Sequence, residues 1–473
     1  MTPADEVDRL TATLKRQRAA FLREGPPPLA ARRASLLKLK EAILVREDDF
    51  AAALNQDFGH RSKEESLLFD VASTVASINY LYRNVGRFMR PEVRDVAWVF
   101  WPEKKRVLYQ PRGVVGIMSP WNYPVGLALI PLATALAAGN RAMLKPSEFV
   151  PATSALIASM IGATFAEEEI AVATGDAKIG SAFSALPFDY MLFTGSIPVG
   201  RAVMRAASDN LVPVTLELGG KSPVIVDRDY DIETAGYRIA YGKLANGGQT
   251  CVAPDYVLAP DDKVEAFVAA FTESAGRLYP NIADNPDYTW IISDHHFERL
   301  AGLLDDAKAK GARVIDIGGR RGDGATRQSR LFLPALVLNA TDEMKVLQEE
   351  IFGPILPVVP YRTLEEAVAY VNARPRPLAL YYFGPSGPGR QLVLSRTTSG
   401  NVTINDTNLH YAQEDLPFGG VGMSGMGAYH AHEGFKSMSH AKGVFTQARF
   451  NLTNLLRPPY TRIFDFLLRW NLR

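Results

Sequence analysis

Short apolar runs typical of buried strands alternate with helical segments through most of this chain of 473 residues. The strand-like runs occupy residues 107–109, 114–118, 142–145, 170–173, 190–193, 214–218 and 224–226. Helical patterns lie between them, as over 125–138 and 231–245. Because parallel strands need a crossover connection, usually a helix, this alternation is typical of βαβ units. The sequence therefore predicts an α/β fold built on a doubly wound parallel sheet.

The length of the chain and the extent of the alternation indicate two or three domains. We divide it into residues 1–216, with helices up to about residue 95 and then the first sheet, a second α/β domain at 217–405, and a glycine-rich tail at 406–473 that ends in a short apolar helix. Apolar residues recur at steps of three and four from Leu68 to Met89. That spacing predicts one long helix whose apolar seam packs on its own domain or on a second copy.

Charge and cysteine content exclude several classes of protein. Lys and Arg number 52 against 51 for Asp and Glu, so the chain lacks the positive field that nucleic-acid binding needs. The one cysteine, Cys251, permits no internal disulfide and no two-cysteine metal site, which fits the reducing cytoplasm. We predict no metal centre. The first residues show no secretory signal pattern, so we expect none.

Residues 114–138 carry no formal charge over 25 residues, which is a transmembrane length. Pro120, Pro124 and Pro131 interrupt this stretch. A lipid-facing helix tolerates such interruptions poorly, whereas a buried strand, a loop and a core helix accommodate them. We therefore expect these residues to lie in a protein core.

Cys251 is the sharpest candidate for chemistry, because it stands alone and follows the turn-like residues 246–250. A thiolate is a strong nucleophile, and a helix N-terminus nearby would lower its pKa. A small buried hydrophobic residue is the alternative interpretation of Cys251 by itself. As a nucleophile it would serve a thiol hydrolase or acyltransferase, which needs a nearby histidine, or the oxidation of an aldehyde through a thioester. The second reaction needs a general base, oxyanion donors and a nicotinamide cofactor.

Two further side chains fit those requirements. Glu217 lies in an apolar run that ends at Gly219-Gly220, where burial would raise its pKa toward neutrality, as a base requires. An ion pair with Lys221 is the alternative role for this carboxylate. Asn122 lies between two prolines after a strand, so its amide would be held rigidly enough to donate to an oxyanion, although the residue taken alone fits an ordinary turn asparagine better.

Two strand ends suggest where a dinucleotide would bind. Residues 193–200, Phe-Thr-Gly-Ser-Ile-Pro-Val-Gly, form a strand, a glycine turn and a helix start, which is a weak form of a phosphate-binding pattern. Lys145 ends another strand, at the edge where ligands of α/β sheets usually lie.

Taken together, these segments resemble the aldehyde dehydrogenase superfamily over roughly residues 30–445. The segments that carry the resemblance appear in the family's order: 120–122 Pro-Trp-Asn, 145–148 Lys-Pro-Ser-Glu, 193–196 Phe-Thr-Gly-Ser, 217–221 Glu-Leu-Gly-Gly-Lys, 248–251 Gly-Gln-Thr-Cys, 349–354 Glu-Glu-Ile-Phe-Gly-Pro and 417–420 Pro-Phe-Gly-Gly. The 34 residues between Glu217 and Cys251, and the sequence after Cys251, resemble the class 3 branch. Within that branch the chain is similar to bacterial coniferyl aldehyde dehydrogenases.

The resemblance implies a role for each matched residue. Cys251 would be the nucleophile, Glu217 the base that activates the deacylating water, and Asn122 an oxyanion donor together with the backbone N–H of Cys251. The cofactor positions that it implies are Trp121, Lys145, Glu148, Gly195, Ser196, Gly200, Glu350 and Phe352. Glu350 would bind the nicotinamide ribose and Phe352 would bracket the ring. Lys145 and Glu148 would reach the adenine ribose.

The same resemblance implies a Rossmann-like cofactor domain, a second α/β catalytic domain and a small bridging element that pairs subunits into a homodimer. Glu148 implies a preference for NAD, although class 3 enzymes often accept NADP as well. The apolar C-terminal residues 463–470 are expected to pack on the partner subunit, with contact to a membrane surface as the alternative.

The expected activity is NAD(P)-dependent oxidation of coniferyl aldehyde or a related aromatic aldehyde to its acid. Medium-chain or long-chain aliphatic aldehydes are the alternative substrates. A cofactor-independent thiol esterase or acyltransferase, and a binding protein that uses an enzyme fold, are the alternatives from other classes.

Overall fold

The computed structural model describes residues 3–95, 104–319, 330–449 and 452–472. The chain begins with five helices: α1 Pro3–Glu24, α2 Leu29–Leu44, α3 Glu47–Phe58, α4 Lys63–Glu65 and α5 Ser73–Phe88. A π-helical segment, Ser66–Ala72, joins α4 to α5, so the predicted long helix changes its winding near its start. Leu68 is therefore turned outward and 55% exposed, whereas Ile78 and Val85 of the same seam are fully buried.

The first sheet has six strands, and helices connect most of them. Two strands that come first in the chain, β1 Glu92–Arg94 and β2 Lys104–Pro111, lie outside this sheet. The sheet's own strands then alternate with helices: β3 Val114–Met118, α6 Gly126–Ala138, β4 Arg141–Lys145, α7 Pro151–Thr164, β5 Ile170–Val172, α8 Ala177–Ser184, β6 Tyr190–Gly195, α9 Ile197–Ser208 and β7 Val214–Leu218. The strand order is β5-β4-β3-β6-β7, with the short β15, Gly425–Met426, added antiparallel beside β7. Because the order reverses between β3 and β6, a crevice opens there at the carboxyl ends of the strands. The doubly wound parallel sheet predicted from the alternation is confirmed, as is the Rossmann-like domain that the resemblance implied.

The second sheet has seven strands in the order β10-β11-β12-β9-β8-β13-β14. Its strands are β8 Pro223–Val226, β9 Tyr256–Pro260, β10 Arg313–Asp316, β11 Ala335–Leu338, β12 Ile355–Tyr361, β13 Ala379–Phe383 and β14 Asn401–Ile404. Its helices are α10 Ile232–Leu244, α11 Val264–Leu278, α12 Asp294–Ala309, α13 Lys345–Gln348, α14 Leu364–Asn372 and α15 Pro388–Arg396. All neighbours are parallel except β10 and β11, which confirms a second α/β unit.

A small antiparallel sheet in the order β1-β2-β16 completes the architecture. Helix α16, Ala431–Ser437, leads into β16, Ser439–Thr446, and the last helix is α17, Arg462–Asn471. Residue 216 lies within β7, and β15 from the tail joins the first sheet. The sheets therefore do not strictly follow the domain boundaries at 216 and 405 that we drew from the sequence.

Residues 114–138 form a buried strand, a loop and a helix, as the prolines predicted. Every residue of α6 is buried, which explains why this helix carries no polar face. Among the residues that the structure describes, no helix combines the length and apolar character needed to cross a bilayer.

Candidate active site

A cavity of about 220 Å³ lies at the carboxyl ends of β3, β6 and β7. Eight of the residues singled out in the sequence line it: Trp121, Asn122, Gly195, Ser196, Glu217, Cys251, Glu350 and Phe352. They come from both α/β units, since Glu217 ends a strand of the first sheet and Cys251 follows the first helix of the second unit. The fold therefore brings together eight predicted residues that are up to 231 positions apart in the chain, as the difference between 121 and 352 shows.

Cys251 follows a tight turn that only particular residues can adopt. Asn246, Gly247 and Gly248 all have positive φ, at 52°, 60° and 76°. A Cβ atom on Gly248 would lie 2.4 Å from the carbonyl oxygen of Gly353, so glycine is required at this close approach. The turn thereby delivers the thiol into the cavity instead of into a strand, as the sequence predicted.

The expectation of a lowered thiol pKa is wrong for the protein in this state. Burial and, to a smaller extent, the neighbouring carboxylates of Glu350 and Glu217 together raise the pKa of Cys251 to about 12. The backbone N–H groups of Cys251 and Val252 oppose this shift, but they do not outweigh it. Cys251 follows a 3₁₀ turn, and no α-helix begins at this point to stabilise the thiolate.

Glu217 is 3% exposed at the end of β7, and burial raises its pKa well above the usual value. Neither carboxylate oxygen has a hydrogen-bond partner within the described ranges. The alternative role, an ion pair with Lys221, is wrong because Lys221 pairs with Asp255 and donates to two backbone carbonyls. Glu217 is thus a buried carboxyl group that can exchange a proton with a molecule in the cavity.

Asn122 is held on the loop between β3 and α6 through its backbone and its side chain. Its carbonyl oxygen accepts from Arg61 Nη1 at 3.0 Å and from Asn246 Nδ2 at 3.1 Å. Its own Nδ2 donates to the carbonyl oxygen of Gln249 at 3.1 Å. An amide nitrogen carries two hydrogens, so one remains to donate into the cavity.

Glu350 and Phe352 enter the cavity from the segment between α13 and β12. The backbone N–H of Gly220 donates to Glu350 Oε1 at 3.0 Å, and burial raises the pKa of Glu350 to about 7. A Cβ atom on Gly219 would lie 2.2 Å from this carboxylate, so glycine permits the contact. Phe352 has a left-handed φ of 49° and meets Trp121 edge to face, with 5.3 Å between ring centroids.

Three predicted cofactor residues lie outside the cavity lining. Lys145 Nζ donates to Glu148 Oε2 at 2.8 Å, so these two side chains contact each other. Gly200 lies on α9, where a Cβ atom would come within 2.6 Å of Leu218 Cδ2. Glycine at position 200 therefore allows α9 to pack closely on β7, while Ser196 immediately precedes the first turn of α9.

The sequence did not single out several residues that line the cavity: Leu127, His296, Arg299, Leu378, Tyr411 and Tyr429. Arg299 Nη1 donates to the backbone carbonyl of Glu350 at 3.0 Å and so supports that segment. The only sequence signal for the aromatic members was the density of aromatic and histidine residues between 410 and 435. In the parts of the chain that the structure describes, no group of three metal-ligating side chains occurs.

Comparison with known proteins places these observations in a family. A family model described as the aldehyde dehydrogenase family matches residues 2–444. A probable coniferyl aldehyde dehydrogenase of Caulobacter vibrioides is 50% identical over 452 residues, which cover 94% of this chain and 93% of that protein. The Staphylococcus aureus AldH structure, in a substrate-bound state, superimposes with a TM-score of 0.92 at 37% identity, covering 98% of this chain and 99% of AldH. A Mycobacterium tuberculosis aldehyde dehydrogenase complexed with NAD⁺ superimposes with a TM-score of 0.84 at 30% identity, covering 95% and 92% of the two chains.

Proposed function

The chain belongs to the aldehyde dehydrogenase family, and from that membership we propose that it oxidises coniferyl aldehyde or a closely related aromatic aldehyde to the carboxylic acid, with NAD as the preferred cofactor. The observation that carries this proposal is the meeting of Cys251, Glu217 and Asn122 in one cavity at the reversal point of a dinucleotide-type sheet. The 50% identity to a probable coniferyl aldehyde dehydrogenase supports the aromatic substrate class.

The residues present fit a nicotinamide dinucleotide. Glu350 offers a half-buried carboxylate of which one oxygen has a backbone donor, which suits a ribose hydroxyl as a further donor. Trp121 and Phe352 form an aromatic wall, and Ser196 stands at the start of the 12-residue helix α9, where a pyrophosphate is favoured. We further propose that Lys145 and Glu148 separate from each other to bind the adenine ribose. When bound, the nicotinamide ring accepts a hydride from the substrate carbon.

We assign the covalent steps to Cys251 and its neighbours. The thiolate of Cys251 attacks the aldehyde carbon, and the carbonyl oxygen becomes an oxyanion that accepts from Asn122 Nδ2 and the backbone N–H of Cys251. Loss of a hydride from this thiohemiacetal leaves a thioester on the sulfur. Glu217 then takes a proton from a water molecule, whose oxygen attacks the thioester carbon. Collapse of that adduct breaks the C–S bond, releases the carboxylic acid and restores Cys251.

Substitution of Cys251 by alanine tests this mechanism directly. We expect Cys251→Ala to abolish the NAD-dependent absorbance change with coniferyl aldehyde, while the protein still binds NAD in a thermal-shift titration. A rate that survives the substitution would refute the proposed mechanism. Ester cleavage at a rate that does not depend on NAD, together with no reduction of NAD by aldehydes, would favour the thiol esterase. A higher kcat/KM for long aliphatic aldehydes than for coniferyl aldehyde would favour the alternative substrate class.

We also propose a cytoplasmic homodimer in which the first sheet domain holds the cofactor, the second carries the nucleophile and the tail bridges the subunits. The lone thiol supports a reducing compartment. The small antiparallel sheet supports the dimer, because β16 lies at its edge.

A further inference from the structure

Glu350 and Phe352 lie in irregular chain that follows the short helix α13 and leads to β12. We call residues 345–352, which comprise α13 and the residues after it up to Phe352, the cofactor segment. Because irregular chain lacks the backbone ladder of a sheet, its position depends on contacts with the rest of the protein. Arg299 supplies one such contact, since its Nη1 donates to the backbone carbonyl of Glu350 at 3.0 Å.

Lys221, which follows β7, supplies two further contacts to the cofactor segment. Its Nζ donates to the backbone carbonyl oxygens of Val346 at 2.9 Å and of Glu349 at 2.8 Å. The side chain of Lys221 is 12% exposed and forms an ion pair with Asp255. The ammonium group of Lys221 therefore connects the end of the first sheet to the start of the cofactor segment.

Asp255 connects the cofactor segment to the nucleophile. It lies four residues after Cys251 in the chain, and its side chain is 4% exposed. One carboxylate oxygen contacts Lys221, and the other accepts from the backbone N–H of Ile351 at 2.9 Å. The backbone N–H of Asp255 donates to the carbonyl oxygen of Ser222 at 2.8 Å. Asp255 thus contacts the chain after β7 and the cofactor segment at the same time.

The chain between Cys251 and Asp255 is short and enclosed. Val252 and Ala253 are both buried, and the backbone N–H of Ala253 donates to the carbonyl oxygen of Thr250 at 3.0 Å, which closes a turn around Cys251. Buried chain of this kind has little room to adjust. A displacement of Asp255 would therefore change the position of the sulfur relative to the cofactor segment.

The value of this ion pair lies in its geometry. Taking two charges out of water costs about as much as their attraction returns, so a buried pair contributes little to stability by itself. Its hydrogen bonds are directional, however, and both partners also bind backbone groups of the cofactor segment. Hydride transfer requires the substrate carbon on the sulfur to lie close to the nicotinamide ring, and a misplacement of about 1 Å can cost about 100-fold in rate.

We propose that Asp255 and Lys221 are positioning residues that fix the cofactor segment relative to the sulfur of Cys251, so that the nicotinamide ring lies within reach of the hydride. This inference rests on the proposed aldehyde dehydrogenase activity. Neither side chain is part of the cavity lining, so both act through the residues that they hold: Glu350 and Phe352 on one side and Cys251 on the other.

Substitution of Asp255 tests this role in the assay of NAD reduction with coniferyl aldehyde. We expect Asp255→Ala to raise the KM for NAD about tenfold, because the cofactor segment loses its contact at Ile351, and to lower kcat by up to about 100-fold. Asp255→Asn keeps an acceptor oxygen for Ile351 but not the charge, so both losses should be smaller. Lys221→Met should also raise the KM for NAD. Because the two residues act as one unit, the double variant Lys221→Met/Asp255→Ala should lose no more than the worse of the two single variants.

Arg141 provides the matched control for a general loss of stability. Its side chain is 11% exposed and forms an ion pair with Glu24, but it lies at the amino end of β4, at the opposite edge of the sheet from the cavity. Arg141→Met should leave the KM for NAD unchanged, even where a smaller folded fraction lowers the apparent kcat.

Two results would overturn the positioning role and leave the proposed function standing. The first is a fall in kcat at an unchanged KM for NAD in both Asp255 variants, as expected from a smaller folded fraction alone. The second is a double variant whose losses are the product of those in the single variants, which would show that the two residues act independently. A parent enzyme that reduces no NAD with coniferyl aldehyde would overturn the proposed function and this inference with it.

Discussion

At the scale of single residues, the active site disfavours the ionised forms of its acidic groups. Burial raises the pKa values of Cys251, Glu217 and Glu350 in the same cavity, and each negative charge that forms there disfavours the next. A buried base with a raised pKa is suited to accept a proton near neutral pH. A half-buried thiol with a raised pKa instead carries little of the nucleophilic thiolate near neutral pH until its surroundings change.

The resting thiol should therefore react slowly with an alkylating agent. Because the pKa of Cys251 is raised to about 12, the thiolate fraction grows about tenfold per pH unit over the whole accessible alkaline range. Iodoacetamide alkylation of the single cysteine can be monitored by mass spectrometry. We expect its rate to rise continuously from pH 7 to pH 10, whereas the rate for a free cysteine levels off above its pKa of about 8.5.

The neighbouring carboxylate supplies the control for that experiment. Glu350, whose pKa is about 7, is ionised above that pH and raises the pKa of the thiol. Glu350→Gln should therefore speed alkylation above pH 7, whereas Glu349→Gln, at an exposed neighbouring position, should not. A plateau near pH 8 in the parent protein would contradict the raised pKa.

At the scale of elements, the helices before the first sheet support the site although none of their side chains lines it. Arg61 and Asp70 are both fully buried and form an ion pair with a 2.8 Å contact. Arg61 also donates to the carbonyl of Asn122, while Asp70 accepts from the backbone N–H groups of Val125 and Gly126 at the start of α6. This pair thus fixes the middle and the carboxyl end of the loop that carries the oxyanion donor.

Removing one member of this pair should be costly. Arg61→Met leaves Asp70 buried without its cation, so we expect a loss of about 3–5 kcal/mol in the free energy of unfolding, measured by urea denaturation. The double variant Arg61→Met/Asp70→Asn should regain part of that loss. Lys63 lies two positions after Arg61 and forms an exposed ion pair with Asp48. Lys63→Met should therefore cause no measurable change in the free energy of unfolding. Equal stabilities of the Arg61 and Lys63 variants would contradict the role of the buried pair.

The same contacts show what the sequence could and could not predict. The strands at 114–118 and 214–218, and the helix over 125–138, follow from local apolar patterns, and the structure confirms them. The support of Asn122 by Arg61 depends on residues 61 positions apart, for which no local pattern exists. The raised pKa of Cys251 depends on how closely the second α/β unit encloses the turn. The spacing of apolar residues along the sequence does not reveal how deeply that turn is buried.

At the scale of the whole molecule, the tail leaves two surfaces that an isolated subunit would expose. Strand β16 is eight residues long and pairs only with β2 among the described residues, so its outer backbone edge has no partner strand. An open edge of that length promotes association unless another chain covers it. Helix α17 exposes Ile463 at 54% and Phe466 at 68%, one helical turn apart on the same face.

A second copy of the chain is the expected cover for these surfaces. Ten helical residues span about 15 Å, half of a bilayer core, so α17 is too short to cross a membrane. We expect the parent protein to have twice the subunit mass of 51.9 kDa in light scattering, and Ile463→Asp/Phe466→Asp to lower that mass toward a single subunit at micromolar concentration. Leu22→Asp, at a 75% exposed apolar position on α1, should leave the mass unchanged. An unaltered dimer in the double variant would place the interface away from α17. The alternative is a monomeric parent protein that sediments with lipid vesicles. If the double variant no longer sedimented with them, α17 would bind membrane surfaces instead of the partner subunit.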